Sequence, residues 1–381
     1  MRVCKVVSNV DRAVAFEWIV DGLRHKHQFS FILIGPKNSF LSKWLREKGI
    51  EVYEIEYRGK RDALRAVVKC FSFLRKRKFD VVHTHLVEAT LYALLPAWVL
   101  RIKKRIYTRH HSDYNYKYSP KGIKYDKISN WLATDIIAIS GQVKKLLIER
   151  EGVSEKKITL IPHGIDIGYF ENFDPVSVNR MAAKYNPEKR SPVIGVIARQ
   201  THWKGIQYVI PAFAEILKSY PNALLLLANA HGDYAAEIDR LLQEYLPETS
   251  YVKIKYEYDN ASLYQLIDIL VHVPVDDVVE AFGQVYVEAL AAKIPCVFTL
   301  SGIAVDCIES KKNAIVVPYC DSTSISEGIL QILGDDQLRS TLIENAARMV
   351  HEKFALGIFL DKLNALYENK PIETGLLLLQ M

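Results

Sequence analysis

The chain of 381 residues is long for a single hydrophobic core and has the length typical of two α/β domains. Apolar residues make up 49% of it and charged residues 25%, which excludes a disordered or fibrous composition. Residues 1–170 carry 32 Lys and Arg against 17 Asp and Glu, whereas residues 171–381 carry 18 against 27. The basic half favours a polyanionic or membrane-surface partner, although solvated faces alone would also produce this asymmetry.

The five cysteines are scattered, odd in number and mostly set in apolar runs. This pattern indicates buried thiols in a reducing compartment, and no pair has the spacing of a metal site. The chain starts with a strand-like run rather than a signal peptide, and its longest apolar run, at 91–100, is too short to cross a bilayer. We therefore expect a cytoplasmic protein.

Strand-like and helical runs alternate along both halves of the chain. The predicted strands of the first half lie at 3–8, 29–33, 52–55, 81–83, 105–108, 136–139 and 158–161. Those of the second half lie at 193–197, 223–227, 251–254, 267–273, 296–299 and 314–317. This alternation predicts two α/β domains, each a doubly wound parallel sheet of the Rossmann-like type, that face a cleft.

Composition sets the expected boundaries of these domains. The first domain is predicted at 1–172 and the second at 191–353. A polar stretch with Asp174-Pro175 and Pro187 marks a linker at 173–190, with a short helix at 178–185. An amphipathic helix follows at 354–370, and a tail at 371–381, apolar from residue 375 onward, ends the chain.

The chain is organised around the stretch from Glu280 to Glu288, which follows an apolar strand. A helix should begin near Phe282 or Gly283 and should carry Gln284 and Glu288 on one face. Backbone N–H groups at the start of a helix suit a phosphate, and a carboxylate such as Glu288 suits a pair of ribose hydroxyls. The alternative is that both glutamates are ordinary solvated residues.

A second candidate region follows the first strand of the second domain, where Arg199 and Lys204 precede Gly205. An arginine fork, a lysine charge and a helix amino terminus together suit a diphosphate. The alternative is a solvated loop with chance cations.

Histidines cluster at two predicted strand ends, as His83 with His85 and as His110 with His111. A metal site is the first idea for such a cluster, but none of these residues has a carboxylate or cysteine partner at ligand spacing. We expect no metal, and we interpret His83 as a structural histidine.

Several stretches resemble the retaining glycosyltransferases of family 4. They are residues 80–85, 108–110, 135–140 and 162–166 with Phe170, then Arg199 with Lys204-Gly205, Asp268 with Pro274, and residues 280–295. The order and spacing of these stretches match together over nearly the whole chain. The resemblance implies a two-domain glycosyltransferase B fold, in which the second domain holds the donor and the first holds the acceptor. The terminal helix would cross back to brace the first domain.

The resemblance also implies roles for donor-site residues. Glu288 would bind the ribose, Arg199 and Lys204 the diphosphate, and Glu280 the sugar hydroxyls, with the backbone of residues 281–284 nearby. The donor is a nucleotide diphosphate sugar, which is a substrate, so no separate cofactor is expected.

On the acceptor side, the resemblance places His110 near the reacting sugar, with His111 as a rival. Glu280 and His110 are thus the predicted catalytic residues. The leaving phosphate would help to deprotonate the acceptor, so no protein nucleophile is expected. The absence of a convincing Asp-x-Asp motif agrees with metal-independent transfer.

Two departures from the family pattern are informative. Residues 8–12 stand where the family often has a glycine-rich turn, so a ligand contact there is in question. Lys293 stands where a glycine commonly follows the donor helix, a left-handed position that strains a lysine.

Basic residues alternate with apolar residues in a helical run at 61–78, and a second basic run lies at 101–105. These runs favour peripheral contact with an anionic membrane and a lipid-linked acceptor, whereas a packed helix with a solvated basic face is the alternative. Nucleic acid is not expected, because the aromatic residues form no binding-module pattern.

The sequence therefore predicts a transferase that moves a sugar from a UDP- or GDP-sugar to a glycan or lipid-linked acceptor, in synthesis of a bacterial surface polysaccharide or glycolipid. Its expected location is cytoplasmic and at the inner face of the cell membrane. A hydrolase or epimerase of the same fold and a non-catalytic nucleotide-sugar-binding subunit are the alternatives. The base, the sugar, the acceptor, the linkage and the oligomeric state are left open.

Overall fold

The computed structural model describes residues 1–372, so most of the tail predicted at 371–381 lies outside the described residues. Contacts divide the chain into two compact units. The first unit comprises residues 1–164 together with those from Leu356 onward, and the second comprises Ile165–Ala355.

The strands of both units form parallel sheets. In the first unit they are β1 (Arg2–Ser8), β2 (Gln28–Gly35), β3 (Glu51–Glu56), β4 (Val81–His85), β5 (Lys104–Arg109), β6 (Asp135–Ala138) and β7 (Ile158–Leu160). In the second they are β8 (Val193–Ile197), β9 (Leu224–Ala228), β10 (Tyr251–Ile254), β11 (Ile269–His272), β12 (Cys296–Phe298) and β13 (Ile315–Val316). The strand orders are β3-β2-β1-β4-β5-β6-β7 and β10-β9-β8-β11-β12-β13.

Helices connect the strands of each sheet. The first unit contains α1 (Val14–Leu23), α2 (Phe40–Glu47), α3 (Ala63–Arg77), α4 (Val87–Val99), α5 (Tyr114–Lys117), α6 (Gly122–Leu132) and α7 (Gly141–Glu149). The second contains α8 (Ile167–Glu171), α9 (Pro175–Tyr185), α10 (Ile206–Ser219), α11 (Ala235–Tyr245), α12 (Asn260–Tyr264), α13 (Gln284–Ala291), α14 (Ala304–Cys307), α15 (Ser322–Gly334) and α16 (Asp336–Phe354). The last helix, α17 (Leu356–Glu368), belongs to the first unit. The predicted fold class, two doubly wound parallel sheets, is confirmed.

The order of the strands explains where the sites lie. Each sheet has a switch point, where β4 pairs with β1 in the first unit and β11 pairs with β8 in the second. In doubly wound sheets, the loops that follow the carboxyl ends of the strands at this point form the ligand-binding edge.

The residues near the predicted boundary at 172 pack in the second unit. Ile165 donates its backbone N–H to the carbonyl of Phe354 at 2.9 Å. The buried ring of Phe170 packs edge-to-face against Tyr264, with 5.7 Å between ring centroids. Residues 165–172, expected in the first domain, are therefore grouped with the second unit.

The stretch predicted as a linker contains α9, which begins earlier than the short helix expected at 178–185. Asp174 caps it by accepting hydrogen bonds from the backbone N–H groups of Val176 and Ser177. Pro175 stands at the first position of the helix, where its missing N–H costs nothing.

The helix predicted at 354–370 is α17, which begins two residues later and ends two residues earlier than expected. Ala355 has an extended backbone, with a ψ of 137°, so α16 ends at Phe354 and α17 begins at Leu356. Within the first unit, α17 packs against α1, and Asn364 Oδ1 lies 2.8 Å from His27 Nε2.

Candidate active site

The stretch around which the sequence is organised forms a loop after β11 and then α13. The helix begins at Gln284, one residue after the predicted range of Phe282 or Gly283. Gly283 is its N-cap and has a φ of 78°, the left-handed conformation that glycine adopts without strain. A Cβ at this position would lie 2.6 Å from the ring of Tyr286, so a side chain is excluded there.

Glu280 is the centre of a buried charged cluster. Lys204 Nζ donates a hydrogen bond to Glu280 Oε1 in an ion pair, and His272 Nε2 lies 3.3 Å from the same oxygen. Burial by itself would raise the pKa of Glu280, but the charge of Lys204 and the proximity of His272 outweigh it and lower this pKa to about 2. Glu280 is therefore ionised at neutral pH.

His272 completes this cluster in an unusual way. Burial lowers its pKa, so the ring is neutral near pH 7. Among residues 1–372, the buried Nδ1 has no hydrogen-bond partner, whereas Nε2 has the 3.3 Å contact with Glu280. Buried polar atoms normally have a partner, so this ring can accept or donate a hydrogen bond to a ligand or to water.

The loop after β8 holds the predicted diphosphate residues. Gly205 has a φ of 74° and ends this loop, and a Cβ there would lie 1.8 Å from the carbonyl oxygen of Val273. Because this contact presses the loop against the end of β11, Lys204 reaches Glu280. Arg199 is exposed, and its side chain has no hydrogen-bond or ion-pair partner in the part of the chain that the structure describes.

Two neighbours of Arg199 were not singled out from the sequence. Gln200 Nε2 and Thr201 Oγ1 are buried and lack a hydrogen-bond partner among the described residues. No sequence signal distinguishes them from other loop residues. Their position between Arg199 and Lys204 adds two polar groups to the predicted diphosphate region.

Glu288 lies on α13, one helical turn beyond Gln284. Tyr264 donates its hydroxyl hydrogen bond to Glu288 Oε2 at 2.8 Å. Burial raises the pKa of Glu288, while hydrogen bonds from Tyr264 and Gln284 partly offset the increase. The carboxylate is thus positioned by a buried tyrosine rather than by a cation.

The first unit contains a cluster of buried bases near the ends of β1, β4 and β5. Lys5 Nζ lies 3.2 Å from His85 Nε2 and 3.4 Å from His83 Nδ1. His85 Nδ1 lies 3.1 Å from His110 Nε2, and the ring of His110 stacks on that of His163 at 5.5 Å. These five residues, called the base cluster below, form a continuous chain of ring and amine contacts.

Burial is the largest influence on the charge of each member of this cluster. Burial lowers the pKa of Lys5 to about 7 and that of His163 to about 4. It also lowers the pKa values of His83, His85 and His110 well below the usual value. The four histidines are therefore neutral near pH 7.

Comparisons with known proteins address the family. Residues 177–349 match the family described as glycosyl transferases group 1, and residues 19–169 match glycosyltransferase family 4. The chain is 30% identical over 314 residues to the capsular polysaccharide biosynthesis glycosyltransferase CapM of Staphylococcus aureus, with 80% of each chain covered. The chain belongs to the family 4 glycosyltransferases.

Two further similarities agree with this family. The glycosyltransferase is 24% identical over 317 residues to alpha-monoglucosyldiacylglycerol synthase of Acholeplasma laidlawii, covering 76% of this chain and 77% of that one. Anabaena HepE, solved in complex with UDP and glucose, has the same fold, with a TM-score of 0.83 and 18% identity over 97% of this chain and 100% of that chain. The glycosyltransferase B fold expected from the resemblance is thus confirmed.

The two histidines that follow β5 have different partners. His110 joins the base cluster, whereas His111 Nε2 lies 3.1 Å from Asp126 Oδ1. Asp126 also pairs with Arg109, a fully buried arginine that bonds Glu151 at 2.7 Å. The sequence prediction did not include this buried ion-pair network, because its members are distant in sequence.

His83 is a satisfied structural residue, as the sequence predicts. Its Nε2 lies 2.9 Å from Thr108 Oγ1, and its Nδ1 lies 2.8 Å from the hydroxyl of Tyr367 on α17. Among residues 1–372, no three His, Cys, Asp or Glu side chains are grouped in a way that could hold a metal ion.

Both departures from the family pattern have a structural explanation in this glycosyltransferase. Asn9 takes the left-handed conformation, with a φ of 52°, where the family often has glycine. Asparagine tolerates this conformation better than most residues. Lys293 is left-handed as well, with a φ of 59°, and its Nζ pairs with Glu171 at 2.9 Å.

Proposed function

We propose that the chain is a retaining, metal-independent glycosyltransferase that moves a sugar from a UDP- or GDP-sugar to a glycan or lipid-linked acceptor. The observation that carries this proposal is the cluster of Lys204, Glu280 and His272 beside the glycine-capped start of α13. It combines a fixed cation, an ionised carboxylate and the amino terminus of a helix near the carboxyl end of β11. CapM and the A. laidlawii synthase support assembly of a bacterial surface polysaccharide or glycolipid.

The donor binds in the second unit by this proposal. Glu288, held by Tyr264, accepts hydrogen bonds from the ribose hydroxyls. Arg199, which has no partner of its own among the described residues, and Lys204 bind the diphosphate. The ammonium of Lys204 has three N–H donors, so it can hold Glu280 and a phosphate oxygen together. HepE, crystallised with UDP and glucose, supports a nucleotide-sugar donor.

The reacting sugar is held by Glu280 through its hydroxyls and by the backbone of residues 281–284. Negative charge develops on the departing phosphate during transfer, and cations with fixed N–H dipoles stabilise such a charge. Arg199 and Lys204 supply these cations in place of a metal ion. His110 contacts the sugar as a neutral ring, because burial lowers its pKa.

The membrane is part of the same proposal. A lipid-linked acceptor requires work at the inner face of the cell membrane, and the A. laidlawii relative is named for a diacylglycerol product. No helix within residues 1–372 is both long and apolar enough to cross a bilayer. Contact would therefore be peripheral for this part of the chain.

Thermal unfolding with UDP, GDP, ADP and CMP tests the donor assignment. One nucleotide at about a hundred times its dissociation constant should stabilise the protein by about 2.7 kcal/mol. Arg199→Ala and Glu288→Ala should abolish the shift, while Lys218→Ala, an exposed control in the same unit, should preserve it. The absence of a shift with every nucleotide would remove the main support for the proposal.

Turnover tests the chemistry. NMR of the product from a UDP-sugar should show the same anomeric configuration as the donor. An inverted product would contradict retention, and free sugar without a glycoside would favour a hydrolase. Intact nucleotide binding without turnover on any acceptor would favour a non-catalytic binding subunit.

A further inference from the structure

The outward side of α4 is apolar along most of its length. Leu95, Trp98 and Val99 are exposed by 42%, 43% and 52%. The acidic residue of this helix, Glu88, is half-buried and accepts a hydrogen bond from Ser8. The solvent-facing side of a helix is usually polar. The exposed side chains on this side of α4 are instead apolar.

The neighbouring helix α6 continues this apolar surface. Tyr125, Ile128 and Trp131 recur at three-residue intervals, so they lie along one side of the helix, and Trp131 is 64% exposed. The rings of Trp98 and Trp131 contact each other, with centroids 5.2 Å apart. We call the six residues Leu95, Trp98, Val99, Tyr125, Ile128 and Trp131 the tryptophan face.

Basic residues surround the tryptophan face. Lys121, directly before α6, and Lys124 and Lys127 on this helix are exposed and have no ion-pair partner among residues 1–372. Arg101 and Lys103, directly after α4, are also exposed. The acidic residue of α6, Asp126, is buried against Arg109 and does not offset these charges.

The helix α3, which the sequence indicates as basic and amphipathic, lies on the other side of α4. It packs against α4 through the core that Ala66, Cys70 and Ala93 share. Its residues Leu64 and Val68 remain exposed, by 77% and 57%. The exposed apolar residues thus occur on α3, α4 and α6, and α4 packs against both of the others.

We propose that the tryptophan face is the surface by which this glycosyltransferase docks on an anionic lipid bilayer. Tryptophan rings prefer the headgroup level, and clustered lysines bind anionic headgroups. Large exposed apolar patches rimmed by polar residues mark interaction sites. The uncompensated lysines favour a lipid surface over a protein partner. This inference rests on the proposed function, in which the acceptor is lipid-linked.

Co-sedimentation of the full chain with vesicles tests the docking surface. The wild type should bind vesicles of phosphatidylcholine with phosphatidylglycerol and should not bind phosphatidylcholine alone. Trp98→Ala with Trp131→Ala should weaken binding at least tenfold, and Tyr245→Ala, an exposed aromatic in the second unit, should leave it unchanged. Circular dichroism checks that each variant is folded.

Charge reversal tests the lysines separately. Lys124→Glu with Lys127→Glu should weaken binding by about fivefold for each lysine, and added salt should weaken the wild type in the same way. The matched control is Lys189→Glu with Lys255→Glu, which reverses two exposed charges in the second unit and should have little effect.

Three outcomes would overturn the proposal. The first is that the wild type does not bind anionic vesicles, and the second is that the tryptophan variant binds them as well as the wild type does. The third is that size-exclusion chromatography detects a dimer formed through the tryptophan face in a protein that does not bind vesicles. The nucleotide shift does not depend on the face, so it should persist in every variant. If the wild type binds anionic vesicles but no nucleotide raises its melting temperature, the result counts against the proposed function and not against the docking surface.

Discussion

Glu280 in the second unit and Lys5 in the first are both buried, and their surroundings differ in one respect. Glu280 has Lys204 as a counter-charge, and its pKa falls to about 2, so it stays ionised. The Lys5 amine lies beside His83, His85 and the ring of Phe16, and its pKa falls to about 7, so the charge is half lost at neutral pH. A buried group keeps its charge when attraction to an opposite charge offsets the free energy of lost hydration.

This difference suits two chemical tasks. The cluster around Glu280 offers fixed charges, which can bind a diphosphate sugar and stabilise charge that develops on the leaving phosphate. The base cluster offers neutral rings, which can form hydrogen bonds without repelling a sugar cation. The comparison predicts that the two clusters respond differently to substitution and to pH.

The largest effect is expected from Lys204→Met, which leaves Glu280 buried without its partner. The free energy of unfolding should fall by about 3–5 kcal/mol, as when one member of a buried ion pair is removed. Urea unfolding measures it. Lys312→Met is the control, because its pair with Glu309 is exposed and should contribute less than about 1 kcal/mol. An equally small effect at Lys204 would mean that Glu280 is hydrated.

Lys5→Met should have the opposite sign. Burial lowers the pKa of Lys5 from 10.5 to about 7, so its charge destabilises the folded chain most below pH 7. As the pH rises from 7 to 10.5, the wild type should regain up to about 1.4 kcal/mol per pH unit relative to the variant. Urea unfolding at several pH values measures this gap. A pH-independent gap would show that Lys5 is not titrating in this range.

Mild acid should destabilise the first unit, which contains the four histidines of the base cluster, more than the second, which has His272 beside Glu280. In the folded protein the pKa values of the base-cluster histidines lie below 6.5, so the unfolded chain takes up protons first as the pH falls. The free energy of unfolding therefore decreases below pH 6.5, and for His163 the decrease continues to about pH 4. Glu280 instead contributes stability above pH 4.5 that is lost as the pH falls towards 2. His163→Phe should reduce the slope of the free energy of unfolding against pH, in the range from 6.5 to 4, by up to about 1.4 kcal/mol per pH unit.

Amide hydrogen exchange of peptides from each unit distinguishes these ranges. Between pH 6.5 and 4.5, peptides of β4 and β5 should lose more protection than peptides of β11 and α13, because four histidines lie in the base cluster and one, His272, lies beside Glu280. Equal loss of protection in both units over this range would contradict the assignment of the two clusters.

Much of the fold was predictable, because strand and helix signals are local. The stretches at 193–197 and 251–254 were predicted with their observed bounds, and the other strands within two residues at each end. The strain at Lys293 was also predictable, since a left-handed residue after a helix is a short-range feature. Errors occurred at helix ends, as at α9, which begins at Pro175 rather than at the expected residue 178.

The sequence by itself indicated the family, the two parallel sheets, and Glu280, Lys204 and Glu288 as site residues, because strand-end positions and motif spacing are properties of short segments. Only the tertiary structure decided which of these residues meet. Lys204 and Glu280 are 76 positions apart and meet because β8 pairs with β11. Lys5 and His83 are 78 apart and meet because β1 pairs with β4. Burial, pKa and the exposed tryptophan pair depend on such packing, which no local pattern encodes.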